Sequence, residues 1–147
     1  MTIINNKRIL CVLFIALIPG LSVFAQKELQ HSRKGNRLYR DNNFPDAELS
    51  YRRSVDVNPE YSDAIFNLGT ALYKQGKYDD ALKSFESVQE TDIERKKLAS
   101  TYYNLGNTLF NSQKLEESIE AYKNSLRNDP GNLEAKYNLA YAQDLLK

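Results

Sequence analysis

Apolar residues return along this chain in two rhythms at once. Over short distances they fall three and four apart, as in Ile65, Leu68, Ala71 and Leu72 and then in Ala81, Leu82, Phe85 and Val88. That is the spacing of helices with one apolar face. Short polar breaks stand between such runs. In Gln75-Gly76-Lys77 the glycine suits the left-handed residue that follows a helix. Two amphipathic helices joined by so short a turn pack antiparallel. Over longer distances the whole figure recurs, starting at Gly35, Gly69, Gly106 and Ala140. One helix pair cannot bury its own stripe, so a period of this length predicts an all-α stack of repeated pairs. Such a stack offers a binding surface and not an enclosed catalytic pocket.

The units align position by position. Leu38, Leu72 and Leu109 lie three residues after the small residue, and Tyr39, Tyr73 and Phe110 lie four after it. Phe44, Tyr78 and Leu115 fall at the turns, and Tyr51, Phe85 and Tyr122 on the second helices. Pro45 fits the first turn of a second helix, where its missing N–H is harmless, and Pro59 and Pro130 close units one and three. A glycine inside a helix costs about 1 kcal/mol against alanine. Its recurrence predicts a tight helix crossing, with Ala47, Ala81 and Ser118 as the expected facing residues.

Two irregularities stand out. The step from Gly69 to Gly106 is longer by three positions than the steps on either side of it, and Ile93 replaces the closing proline. Thr91 with Glu94 matches a capping box, and Asp92 is an alternative cap, so the first helix of unit three is expected to begin early. The last unit supplies a single helix, about 132–146, whose Tyr141, Leu145 and Leu146 leave its outer face apolar. A partner or a second copy is expected to dock there, which allows a homo-oligomer through the C-terminal end.

The segment 1–25 has a different composition. Lys7 and Arg8 precede an apolar run from Ile9 to Ile18, and Val23-Phe24-Ala25 resembles a cleavage site. This reads as a signal peptide cut after Ala25, and otherwise as an uncleaved membrane anchor. The protein is therefore expected to be periplasmic or otherwise exported, and membrane-associated if the segment stays. The remainder, 26–147, holds no cysteine. Losing Lys7 and Arg8 and no acid takes its formal charge from +1 to −1. An evenly mixed charge gives no reason to expect nucleic acid. His31 is the sole histidine and no nucleotide-binding glycine loop is present. No catalytic set, metal site, cofactor or small-molecule substrate is predicted, and the chain is read as a non-enzyme.

"NLGTALYKQGKYDDALKSFESV" and "NLGNTLFNSQKLEESIEAYKNSLRNDP" closely resemble the tetratricopeptide repeat, and "KGNRLYRDNNFPDAELSYRRSVDVNP" does so with Lys34 in place of a leucine. The resemblance implies a right-handed superhelix of about three and a half repeats, seven helices in all. Residues 26–147 would form the domain, with repeats at about 28–61, 62–95 and 99–132 and a closing helix at 133–147. It also implies that the first helix of each pair lines a concave groove. The groove residues would be Asn36, Tyr39 and Arg40; Phe66, Asn67, Thr70, Tyr73 and Lys74; Tyr103, Asn104, Asn107, Phe110 and Asn111; and Tyr137 and Asn138.

Asparagine both donates and accepts, and flat aromatics add apolar contact at low entropy cost. This chemistry suits a peptide or protein partner. Members that hold the acidic tails of chaperones use a basic clamp; here Asn36 and Asn67 match it, but Ser32, Ser100 and Asn104 stand where its cations would be. The chain also resembles the small exported repeat proteins of Bacteroides aerotolerance (Bat) operons. That likeness implies a scaffold in an envelope-stress complex. A structural assembly module, or a regulatory subunit of a membrane-associated enzyme, remains the alternative.

Overall fold

The computed structural model describes residues 18–88 and 93–147. Among the described residues seven helices follow one another: α1 (Ile18–Arg40), α2 (Phe44–Val57), α3 (Ser62–Lys74), α4 (Tyr78–Glu86), α5 (Arg95–Asn111), α6 (Leu115–Asn128) and α7 (Leu133–Leu145). Each packs on the next, and α1, α3, α5 and α7 also touch in sequence along one side. The expected leader lies mostly outside the described residues; α1 runs unbroken through the boundary at Gln26. Thr91 and Asp92 also lie outside them. The described start of α5 is Arg95, eleven positions before Gly106, whereas Ser62 lies seven before Gly69. The first helix of unit three is thus longer by about one turn, and the added spacing is absorbed as helix. Among the described residues no helix is long and apolar enough to cross a membrane.

All three turns inside the pairs are built alike. The N–H groups of Asn43, Lys77 and Lys114 donate to the carbonyls of Leu38, Leu72 and Leu109 at 2.9, 3.0 and 2.9 Å. The residue before each donor is left-handed: Asn42 at φ 56°, Gly76 at φ 73° and Gln113 at φ 62°. This is the helix-ending motif in which a positive φ lets two orphan carbonyls find donors. Glycine and asparagine adopt that conformation readily, and glutamine adopts it at a cost. Gln113→Gly is expected to stabilise the fold by about 0.5–1 kcal/mol, read as a higher urea midpoint; an unchanged or lower midpoint would contradict this account of the turn. Asn43 caps α2 through its side chain, and Pro45 sits in the first turn as expected.

The small residues of the first helices meet a different partner from the one expected. A Cβ on Gly35 would lie 2.5 Å from the Tyr51 ring, one on Gly69 2.8 Å from Phe85, and one on Gly106 2.6 Å from Tyr122. Glycine is therefore required by the second-helix aromatic, sixteen positions on. Ala47, Ala81 and Ser118 are fully buried, but none of them is among the nearest neighbours of the glycines. Ala140, on α7, is exposed. The core runs from Ala47, Tyr51, Leu68, Ala71, Leu72, Ala81 and Phe85, through Leu82, Leu109 and Ala121, to Ile119, Tyr122 and Ala142.

Polar side chains tie units one and two together. Glu48 accepts hydrogen bonds from Lys77 Nζ (2.8 Å), Gln75 Nε2 (2.9 Å) and Arg52 Nε (2.9 Å). Burial pushes its carboxyl up, yet these three donors together hold it below its ordinary value. Gln75 Nε2 also reaches the carbonyls of Phe44 and Ala71.

Candidate functional site

Two cavities open between successive first helices. One, of about 370 Å³, is lined by Asn36, Tyr39 and Arg40 of α1, Tyr51 of α2, and Phe66, Asn67 and Thr70 of α3. The other, of about 390 Å³, is formed by Tyr73, Tyr103, Asn107, Phe110, Asn111, Tyr137 and Asn138, with Tyr122 and Tyr141 added. Thirteen of the fifteen sequence-predicted groove residues therefore come together in two stations. Lys74 and Asn104 line neither; Lys74 is exposed at the end of α3 and Asn104 is half-buried on α5.

The two stations share a hydrogen-bond relay. In the first, Asn36 Oδ1 accepts from Tyr51 Oη at 2.8 Å and from Asn67 Nδ2 at 3.1 Å. In the second, Asn107 Oδ1 accepts from Tyr122 Oη at 2.8 Å and from Asn138 Nδ2 at 2.9 Å. The buried phenol supplies one proton and the neighbouring repeat the other. Burial pushes both Tyr51 and Tyr122 well above the ordinary phenol range, so each stays a donor. The relay uses the carbonyl of Asn36 and Asn107 and the amino group of Asn67 and Asn138. It leaves the amino group of the first pair and the carbonyl of the second for a ligand.

The middle station breaks the pattern. Phe85 has no hydroxyl, and Thr70 Oγ1 donates to the Phe66 carbonyl within its own helix at 2.9 Å. The Asn104 side chain consequently has no hydrogen-bond partner among the described residues. Asn111 Nδ2 bridges the Asn107 carbonyl (2.8 Å) and Tyr73 Oη (3.1 Å), joining units two and three. Tyr39, Tyr73 and Phe110 are half-buried and pair with Phe44, Tyr78 and Tyr141 at ring distances of 5.2, 5.7 and 5.7 Å. Leu115 offers no ring in the third turn, so Phe110 turns to α7 instead.

Lys97 was not among the predicted site residues, yet its ammonium pairs with Asp63 and lies 5.7 Å from the Phe66 ring centre. The longer α5 carries it there, in the added segment that precedes the start seen in unit two. The sequence places Tyr51 and Tyr122 on the second helices, and the role of their polar tips was missed. The signal was present in the spacing, because each tyrosine lies fifteen positions after an asparagine and Phe85 lies fifteen after a threonine. At the clamp positions Ser32 is buried at 3% exposure, while Ser100 and Asn104 are neutral. Among the described residues no three His, Cys, Asp or Glu side chains are grouped to hold a metal ion.

Tetratricopeptide repeat profiles match residues 32–94 and again 99–132. The chain belongs to the tetratricopeptide repeat family. Membership makes it a stack of helical repeats. It is 27% identical over 120 residues to small glutamine-rich tetratricopeptide repeat-containing protein 2 of Mycosarcoma maydis, covering 82% of this chain and 33% of that protein. It is 30% identical over 104 residues to the Hsp70-Hsp90 organising protein of Plasmodium falciparum, covering 68% and 18%. It thus spans a third or less of these curated relatives. Among solved structures it superposes on the first tetratricopeptide domain of Spaghetti (RPAP3) bound to the HSP90 peptide SRMEEVD. The TM-score is 0.77 at 26% identity, over 82% of this chain and 94% of that one.

These relatives correct the expected location. Matching proteins from several organisms are Hsp70-Hsp90 organising proteins, and not periplasmic or membrane-associated ones. The export reading rested on the composition of a short apolar segment outside the repeats, and the tetratricopeptide scaffold itself carries no address. The finer affiliation to aerotolerance-operon proteins likewise draws no support from them.

Proposed function

We propose that the groove binds an extended segment of a partner polypeptide and reads it through its backbone. The observation that carries this is the repeated relay, which fixes the amide orientation of Asn36 and Asn67 and, two units on, of Asn107 and Asn138. Each station then offers one donor and one acceptor beside aromatic rings, as an extended chain requires whatever its side chains. Asn104, with its amide unused, supplies a contact between the two stations. The peptide seen on the Spaghetti domain shows that a chain similar to this one takes a short peptide. The neutral clamp positions point to a ligand not anchored by a terminal carboxylate.

Random heptapeptides displayed on phage are expected to enrich on the wild-type protein. Asn104→Ala should weaken the selected peptides about fivefold, for one hydrogen bond of about 1 kcal/mol, with no change in melting temperature. Peptides that bind equally well to Asn104→Ala and to Asn107→Ala would overturn the groove assignment.

A second reading, assembly through the C-terminal end, is favoured by the outer face of α7. Leu133 and Leu145, outside the groove, are 74% and 51% exposed. Light scattering over a concentration series, with Leu145→Asp as the control, decides it: a dimer that this change abolishes supports assembly.

A further inference from the structure

A concavity of about 490 Å³ lies at the N-terminal end of the stack and shares no lining residue with the groove. Gln26, Gln30, His31, Arg33, Lys34 and Arg37 of α1 line it together with Arg53 of α2. Among the described residues no carboxylate lines it. Its three arginines and Lys34 are neither ion-paired nor hydrogen-bonded among the described residues, whereas Arg52, next to Arg53 in sequence, is held by Glu48 at 2.9 Å. The charge is segregated and does not follow from overall composition. Residues 26–40 carry Lys27, Arg33, Lys34, Arg37 and Arg40 against Glu28 alone, in a chain whose net charge is only +1.

On α1 the cations and glutamines fall at helical spacing along one face, a stripe about 16 Å long at 1.5 Å per residue. Like charges three and four residues apart weaken a helix, so this arrangement carries a cost that an anionic ligand would relieve. About five residues of extended chain span the stripe at roughly 3.3 Å each. The two glutamines can pair with a peptide backbone. Among the described residues no Phe, Tyr or Trp lines the site to stack on a nucleic-acid base, and no apolar side chain lines it to enter a bilayer.

We infer that this end of the stack is a second binding surface, which takes an acidic segment of a partner polypeptide independently of the groove. The test is fluorescence polarisation of the full chain with a labelled octaglutamate peptide. Binding is expected at 50 mM NaCl, with at least tenfold weakening at 300 mM and at least tenfold weakening for Arg33→Glu/Arg37→Glu. The neutral pair Arg37→Gln/Arg53→Gln should also weaken it, which keeps the result readable if the first variant misfolds. Lys114→Glu, at a distant turn, and Asn104→Ala, in the groove, should leave it unchanged. The inference is overturned by absence of binding at 200 μM protein, or by equal loss with Lys114→Glu or Asn104→Ala. It is also overturned if octathymidylate or anionic-lipid vesicles displace the peptide better than unlabelled octaglutamate at equal charge.

Discussion

Gly106→Ala is expected to destabilise the protein by about 1–2 kcal/mol, although the same change inside an ordinary helix is stabilising. Two effects oppose each other. Alanine gains about 1 kcal/mol of helix propensity over glycine. Its Cβ, however, would lie 2.6 Å from Cδ1 and Cε1 of Tyr122, and overpacking in a well-filled core costs about 1–3 kcal/mol. The ring cannot move aside freely, because its hydroxyl is tied to Asn107 at 2.8 Å and the residue is 1% exposed. Relief of the clash must therefore shift α6 or break the relay, and either adds to the cost. The measurement is the urea midpoint of Gly106→Ala beside that of Ala140→Gly. Ala140 is exposed, so glycine there should lower stability by about 1 kcal/mol through propensity alone. Alanine at 106 leaving the midpoint unchanged or raising it would refute the ring contact as the reason for the repeated glycine.

The second large effect concerns ligand choice. Ser100→Lys with Asn104→Arg should give the groove an affinity for the free-acid peptide SRMEEVD at least tenfold above that of the wild type. Hydrogen bonds to charged groups contribute about 1.5–3 kcal/mol each, and an arginine meets a carboxylate with two donors at once. The gain should vanish when the peptide is amidated and its aspartate is replaced by asparagine, since the added cations would then face no carboxylate. Wild-type protein should bind both forms alike and weakly. A wild type that already prefers the free acid tenfold would mean that other cations, Arg40 or Lys97, do the work of the clamp. The same double change removes the one groove asparagine without a partner, so peptides selected on the wild type should bind the variant less well.

Much of this was legible in the chain because it is encoded locally. Helix faces, the left-handed Gly76 and the proline in the first turn of α2 are short-range consequences of residue type. The long-range relations were harder. The glycines announce a close approach, but Ala47 and Tyr51 lie one turn apart on α2, and spacing alone does not tell which one faces Gly35. The relay required a buried tyrosine to be read for its hydroxyl as well as for its ring. Asn104 looked like one member of a uniform asparagine column. Only the change of neighbouring partners, tyrosine and asparagine giving way to Phe85 and Thr70, sets it apart. The cationic end face was hidden by a near-neutral total charge.

The break in the relay at unit two also sets a length requirement. Packed helices stand about 8–10 Å apart, so stations separated by two repeats lie about 16–20 Å from each other. An extended chain advances about 3.3 Å per residue. A ligand that engages both stations must then place its two matching peptide groups about five or six residues apart. Shorter fragments can satisfy one station only. Affinity should consequently rise in a step, not smoothly, as a bound peptide grows past about seven residues.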